Sequence, residues 1–141
     1  MKQHLNSKSY IFDIRTVNDP RGGLSSIEAT IDIPIEIKRI FYMHHVVTDR
    51  GGHAHTDTDQ VIIAMSGTIK IRLFDGNHTE EYIMDDCTKG LYVPRLTFID
   101  LYDFSSGAVC LVLANTHYDM RKSLRNMHDY LEYLKNTPHH E

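Results

Sequence analysis

Two histidines separated by a single residue are the part of this sequence best suited to chemistry. They end the segment Arg50-Gly51-Gly52-His53-Ala54-His55. On a strand, side chains alternate between faces, so His53 and His55 would project together, roughly 6–7 Å apart, with Ala54 pointing away. Two adjacent imidazoles can ligate a metal or act as an acid–base pair near neutral pH. Two solvated histidines on an edge strand would show the same pattern, so the pair needs support from its surroundings.

Short strands are the elements that would position this pair. Turn signatures such as Asp19-Pro20-Arg21-Gly22-Gly23 and Asp75-Gly76-Asn77 separate runs of β-branched and aromatic residues. The candidate strands are Ser25–Ile31, Ile35–Met43, Gln60–Ser66, Thr68–Phe74, Glu80–Met84, Gly90–Val93 and Ala108–Ala114. Many short strands at this spacing predict a sandwich or barrel. No repeat or linker divides the chain, so residues 1–141 are expected to form one domain.

The C-terminal region departs from the strand pattern. Between about residues 118 and 134, apolar side chains recur at intervals of three and four, at Leu124, Met127, Leu131 and Leu134. That spacing predicts a helix. We expect these four side chains to pack against the outside of the strands.

Composition excludes several classes of function. The chain has 141 residues, of which 41% are hydrophobic and 24% charged, with a formal net charge of −4. An acidic balance does not favour nucleic acid or an anionic membrane as a partner. Since no apolar signal segment or membrane-spanning stretch is recognisable, a cytoplasmic location is expected. Cys87 and Cys110 show no metal-type spacing, and Cys110 lies in an apolar run as a candidate core residue.

Any anionic ligand must therefore be held by a few placed cations. Strand alternation puts Arg39 on the same face as Ile35, Ile37, Phe41 and Met43, and an inward arginine in a small barrel needs an anionic partner. Arg21 and Arg50 lie beside glycines in predicted loops, where they would be suited to phosphate or simply solvated. Tyr42 and Tyr92 are candidates for stacking or hydroxyl contacts with a ligand, although strand tyrosines more often pack in a core.

The histidine segment and its flanks resemble a known family. The sequence Gly52-His53-Ala54-His55, followed by Gln60 and Gly67, is similar to the first cupin motif. More narrowly, the segment from Arg50 to His55 with Gln60 and Ser66-Gly67 resembles the sugar 3,4-ketoisomerases (WxcM-like cupins). The similarity extends over nearly the whole chain, through Asp19-Pro20-Arg21-Gly22, Ile37-Lys38-Arg39-Ile40-Phe41-Tyr42, Gly90-Leu91-Tyr92-Val93, Asp103-Phe104-Ser105-Ser106, Val112-Leu113-Ala114 and Tyr118-Asp119.

This resemblance implies a fold and an activity. The fold would be an all-β, cupin-type (RmlC-like) antiparallel β-barrel or jelly roll with a C-terminal helix. The activity would be conversion of dTDP-4-keto-6-deoxyglucose into its 3-keto isomer during deoxyaminosugar biosynthesis. His53 and His55 would share the proton transfers through an enediol intermediate, without a redox cofactor. Arg21, Arg39, Tyr42, Arg50, Gln60 and Tyr92 would contact the nucleotide-sugar. The family also implies a homodimer with exchanged N-terminal strands.

The sequence departs from the family at positions that bear on its chemistry. The second cupin motif would place a third histidine where this chain has Ile99, and Gln60 replaces the usual acidic ligand. Two histidines alone make a weak metal site, so we predict no metal. Phe98-Ile99 and the segment from Arg121 to Arg125 also differ from the family pattern. A non-catalytic sugar-nucleotide-binding or scaffold module, and a sugar-nucleotide epimerase, therefore stay open as alternatives.

Overall fold

Two five-stranded antiparallel sheets face each other in the computed structural model, which describes residues 8–137. The first sheet has the order β1 (Tyr10–Asp13), β9 (Lys89–Val93), β6 (Gln60–Ser66), β11 (Val109–Ala114) and β4 (Arg39–Met43). The second has the order β12 (Ser123–Leu124), β5 (Arg50–His55), β10 (Phe98–Tyr102), β7 (Ile69–Phe74) and β8 (Thr79–Met84). A separate hairpin joins β2 (Arg15–Asp19) to β3 (Gly22–Ser26).

The main core lies between the two sheets and follows strand alternation. Ile69, Ile71 and Leu73 on β7 all point inward, as do Ile62 and Ala64 on β6. Their burial is the main favourable contribution to folding, at about 25 cal/mol for each Å² of apolar surface removed from water. Cys110 is fully buried in the same cluster, as expected for a core residue, and both cysteines are free thiols.

A second cluster covers the reverse side of the first sheet. The segment between β3 and β4 crosses this face and buries Ile33 and Ile35 against Val61 and Leu113. Here the prediction from apolar runs was partly wrong. The expected strand Ser25–Ile31 ends at Ser26, and the expected strand Ile35–Met43 begins only at Arg39. Side-chain burial alone does not require a strand, and this segment buries its apolar residues in an irregular conformation.

The C-terminal helix is shorter than predicted. Helix α1 spans Met127–Asn136, and Asn126 caps its first turn by accepting a hydrogen bond from the Asp129 N–H at 2.8 Å. Instead of helix, residues 118–126 include a single 3₁₀ turn and the strand β12, which pairs with β5. The fully buried residue of α1 is Tyr130, whereas Met127 and Leu131 are 39% and 43% exposed.

The all-β class with one C-terminal helix is confirmed. Within residues 8–137, no helix has the length and apolar character needed to cross a membrane.

Candidate active site

A cavity of about 460 Å³ lies where the edge strand β4 of one sheet meets β5 and β12 of the other. None of the described residues that line it carries a carboxylate. Its walls combine two imidazoles, three guanidinium groups and two aromatic rings, from Arg39, Phe41, Arg50, His53, His55, Tyr118, Ser123 and Arg125. Such a lining suits an anionic ligand and proton transfer in the same space.

Strand alternation on β5 places both histidines on the cavity side. His53 and His55 have ring centroids 5.0 Å apart, with the rings nearly perpendicular at 86°. Ala54 points the other way and is fully buried against Phe98 and Tyr130 beneath α1. The geometry that the sequence predicted for the pair is therefore present, and the reverse face of the strand is packed rather than solvated.

A bulge at two glycines sets the position of the pair. His53 pairs with Ile99 on β10, but the next residue, Asp100, pairs with Gly51, so Gly52 is the extra residue. Gly51 and Gly52 have φ of +98° and +73°, in the region that favours glycine. A Cβ atom on Gly51 would lie 2.6 Å from the carbonyl oxygen of Ile99, so a side chain does not fit there.

Helix α1 is connected to the histidine strand through one loop residue. The Leu96 N–H donates to the carbonyl oxygen of His55 at 2.8 Å. In turn, the Tyr130 hydroxyl lies 2.8 Å from the Leu96 carbonyl oxygen and 3.0 Å from that of Phe74. The end of β5 is thus held by one hydrogen bond from the loop between β9 and β10, and that loop is held by the helix.

Both imidazoles are kept neutral by their surroundings. Burial lowers the pKa of His53, and the positive charges of Arg125 and Arg50 lower it further, while a backbone hydrogen bond at Gly51 and the charge of Asp100 oppose them. Burial also lowers the pKa of His55 to about 4, with further contributions from His53, Arg39 and Arg125 against the opposing Asp57. At neutral pH the unliganded site therefore offers two neutral imidazoles, each with a nitrogen that can accept a proton.

Arg39 points inward, as its strand position predicted. Its guanidinium lies between two rings, 5.1 Å from the Phe41 centroid and 5.3 Å from the Tyr118 centroid. Burial lowers its pKa, and its Nε is buried without a hydrogen-bond partner among residues 8–137. A buried guanidinium N–H that has no acceptor in the described protein is suited to an acceptor on a ligand in the cavity.

Of the other residues that the sequence predicted for the site, some line the cavity and others lie away from it. Arg50 lines the cavity. Gln60 is buried in the same cross-strand row as Arg39, since both pair with Ala114, but it does not reach the cavity wall. Tyr92 packs in the outer cluster, with its ring centroid 5.1 Å from that of Tyr10.

Arg21 and Tyr42 also lie away from this chain's cavity. The Arg21 side chain is 89% exposed in the β2–β3 turn and pairs with Asp19 at 2.6 Å. Tyr42 is exposed on the outward face of β4. The structure therefore does not bring Arg21, Tyr42, Gln60 or Tyr92 to the cavity that holds the histidines.

The sequence reasoning missed Phe41, Tyr118, Ser123 and Arg125. Phe41 could have been found, because it shares the inward face of Arg39. Ser123 and Arg125 were hidden by the helix predicted over residues 118–134. In the structure, Ser123 pairs with His55 across the β12–β5 ladder, a contact between residues far apart in sequence.

The metal-binding capacity of the site is limited by its residues. Across residues 8–137, no group of three or more His, Cys, Asp or Glu side chains is arranged to hold a metal ion. The nearest cross-strand neighbour of His53 is Ile99, which offers no donor atom. That the site works without metal stays a prediction.

Comparison with known proteins places this geometry in a family. The family described as FdtA (WxcM-like, C-terminal) matches residues 7–135. A TDP-4-oxo-6-deoxy-alpha-D-glucose-3,4-oxoisomerase of Aneurinibacillus thermoaerophilus is 33% identical over 126 residues, covering 88% of this chain and 91% of the relative.

Two solved structures share the fold over most of their length. A mutant of the 3,4-ketoisomerase QdtA of Thermoanaerobacterium thermosaccharolyticum, in complex with TDP-4-keto-6-deoxyglucose, is 34% identical with a TM-score of 0.86, covering 90% of this chain and 94% of that one. A 3,4-ketoisomerase of Helicobacter canadensis is 33% identical with a TM-score of 0.88, covering 91% and 98%. The RmlC-like cupin fold is thereby confirmed, and the chain belongs to the FdtA (WxcM-like) family.

Proposed function

We propose that this protein is a dTDP-4-keto-6-deoxyhexose 3,4-ketoisomerase that acts in deoxyaminosugar biosynthesis. The observation that carries the proposal is the pairing of two neutral imidazoles with three arginines in one cavity whose described lining has no carboxylate. The arginines suit a nucleoside diphosphate, and the imidazoles suit proton transfer at the sugar. The related 3,4-ketoisomerases support this substrate class.

The reaction moves a keto group from C4 to C3 by proton transfers alone. One imidazole takes the proton from C3, the electron pair of the C–H bond forms the C3–C4 double bond, and the π electrons of the C4 carbonyl move onto its oxygen, which gives the enediol intermediate as its monoanion. The proton of the C3 hydroxyl passes to the C4 oxygen, the C3 oxygen forms the new carbonyl, and the electron pair of the double bond takes a proton from the imidazolium at C4. C3 is oxidised and C4 is reduced within one molecule, so no external redox partner enters the balance.

The residues of the cavity divide into two roles in this proposal. His53 and His55 carry protons, since their rings face the cavity side by side. Arg39 and Arg50 bind the diphosphate, supported by the orphaned Nε of Arg39 and the position of Arg50 at the start of β5. Gln60 pairs with Ala114, as Arg39 does, and is proposed to support the sugar pocket from the strand layer behind the cavity wall. The positions of Tyr42 and Tyr92 do not favour contacts within this chain's own cavity.

We also propose a homodimer with exchanged N-terminal strands. The β2–β3 hairpin belongs to neither main sheet, and an isolated two-stranded hairpin is marginally stable in water. Val17 and Leu24 pair across it and are 60% and 66% exposed. The edge strand β4 exposes Ile40 and Tyr42 on its outward face. Pairing of the hairpin with another copy would cover these surfaces and bring Arg21 near the partner's cavity.

Incubation with dTDP-4-keto-6-deoxyglucose in deuterated water tests the activity. The ketoisomerase should produce the 3-keto isomer with deuterium only at C4. An epimerase would keep the ketone at C4 and exchange the protons on the carbons beside it. A non-catalytic binding module, the alternative favoured by Ile99 beside His53, would bind the nucleotide-sugar without isomerisation or exchange. A cytoplasmic location is part of the same proposal.

A further inference from the structure

The two imidazoles lie in a predominantly positive environment. Arg39 approaches the cavity from β4, Arg50 from the start of β5 and Arg125 from the residue after β12. The phenol of Tyr118 faces the same space. The opposing carboxylates do not line the cavity: Asp100 on β10 acts on His53, and Asp57, in the loop after β5, acts on His55.

The position of Arg125 follows from the β12–β5 ladder. Ser123 pairs with His55 and Leu124 pairs with Ala54, and Arg125 directly follows this ladder and lines the cavity together with His53. Leu124 packs with Ala54 in the cluster beneath α1. Alternation therefore turns Ser123 and Arg125 to the cavity side, where both are found. Among residues 8–137, the side-chain hydrogen-bond partner of Arg125 is the Tyr118 hydroxyl, at 3.5 Å.

This environment conflicts with the proposed chemistry when the cavity is empty. A general base works best when its pKa lies near the operating pH, whereas the pKa of His55 is lowered to about 4. Such an imidazole accepts a carbon-bound proton poorly. A bound group of opposite charge beside the pair would raise its basicity.

We propose that Arg39 and Arg125 couple diphosphate binding to the basicity of the histidine pair, so that the nucleotide half of the substrate activates the base that acts on the sugar half. The inference rests on the proposed function for its substrate. A diphosphate bound to these guanidinium groups supplies negative charge beside His53 and His55. An opposite charge within roughly 4–6 Å typically raises the pKa of an imidazole by about 1–3 units. In this scheme Arg125 contacts the diphosphate, and it affects the proton transfers through the charge that is thereby placed beside the imidazoles.

The consequence is selection by charge as well as by fit. A 4-keto sugar that lacks the diphosphate would enter a cavity whose bases remain poorly basic. The intact nucleotide-sugar would bring its own activating charge. The same contacts would thus contribute to turnover and not only to binding.

Imidazole titration followed by NMR tests this coupling directly. The signals of the pair are assigned with His53→Asn and His55→Asn, and their midpoints are measured in the free protein and with saturating TDP. We expect TDP to raise the His55 midpoint by about one pH unit or more. Inorganic diphosphate should do the same, whereas thymidine, which carries no phosphate, should not.

The variant Arg125→Gln measures the contribution of the Arg125 charge to the titration midpoints of the two histidines. It should raise the midpoints in the free protein and reduce the further rise caused by TDP. Arg121→Gln is the matched control, because Arg121 lies in the same segment, is exposed and pairs with Asp119. It should titrate like the wild type.

Several results would overturn the inference. These are unchanged midpoints with bound TDP, an equal rise with thymidine, identical titration of Arg125→Gln and wild type, or no binding of TDP or diphosphate. A protein that isomerises the substrate but shows no TDP-dependent rise refutes the coupling alone. A protein that shows the rise but never isomerises refutes the proposed function alone.

Discussion

Ile99 lies directly opposite His53 in the antiparallel ladder between β5 and β10. Its buried side chain points into the core beside the imidazole, at the position where the cupin pattern would place a third histidine. The cavity therefore presents two imidazoles and three arginines, and the arginines repel a cation. This relationship leads to the first prediction.

We expect the purified protein to hold less than one equivalent of zinc, iron, nickel or manganese and to keep its activity after chelation. Elemental analysis and assays before and after chelator treatment measure both. Ile99→His should increase zinc affinity, because it adds a third imidazole next to His53. Stoichiometric metal that is lost together with activity would contradict the prediction.

Replacement of either His53 or His55 by asparagine should preserve the fold and TDP binding, since amide and imidazole are similar in size and polarity. Isomerisation should fall by ~10²–10⁴-fold, the usual effect of removing a positioned acid or base. Circular dichroism, TDP titration and steady-state assays separate these properties. Near wild-type rates in both His53→Asn and His55→Asn would refute the acid–base assignment.

The lowered pKa of His55 predicts a decrease in stability at mildly acidic pH. The pKa of His55 is about 6.5 in the unfolded chain and is lowered to about 4 in the folded protein. Between these two pH values the unfolded state therefore binds one more proton at this imidazole than the folded state does. The free energy of unfolding should therefore fall by about 2 kcal/mol as the pH decreases from 6.5 to 4, after allowance for partial solvent screening.

Denaturant unfolding at several pH values measures this decrease. His55→Asn, which has no group titrating there, should show a flatter profile over that range. Parallel profiles for the variant and the wild type would mean that other groups cause the pH dependence.

Gly51→Ala should destabilise the protein and impair the site together. The new Cβ would lie 2.6 Å from the Ile99 carbonyl oxygen at a φ of +98°, so the bulge that orients His53 must shift. We expect a loss of roughly 2 kcal/mol or more. Gly107→Ala is the matched control, with a φ of +79° and no atom within 4 Å of its Cβ.

Thermal unfolding and isomerisation rates compare the two variants. Gly107→Ala should lose only about 1 kcal/mol, the cost of the backbone strain, and should keep its activity. Equal effects of both substitutions on stability and rate would show that close packing at the bulge is unimportant.

The proposed dimer predicts that Leu24→Asp shifts the protein to monomer mass. Dimerisation would bury the hairpin face that is exposed in the single chain, and the new carboxylate would have to be buried with it. Light scattering at micromolar concentration measures this shift, and a wild-type monomer would contradict the assembly.

Sharing of the site between the two chains of the dimer is tested by mixing Arg21→Ala with His53→Asn chains. Mixed dimers contain one intact site and should recover activity, whereas exchange without recovery would argue against a role for Arg21 across the interface.

Local patterns were sufficient to predict the features that depend on strand alternation. The side-by-side histidines, the inward Arg39 and the buried Cys110 each follow from a two-residue period and from the cost of exposing apolar side chains. These constraints act over a few residues, so they can be recognised without knowing which strands are neighbours. The sequence by itself thus determined the chemistry-bearing pair, the strand-rich class and the family resemblance.

Only the tertiary structure decided which distant residues complete the cavity. Arg125 and Ser123 reach it because a two-residue strand pairs with β5, although the local spacing of leucines favoured a helix there. Tyr92 and Tyr42 point away from the cavity, because burial and exposure at those positions depend on the layers that cover each sheet face. Pairing across long sequence separations is set by the competition of all strands for neighbours, and no short segment of the chain contains that information.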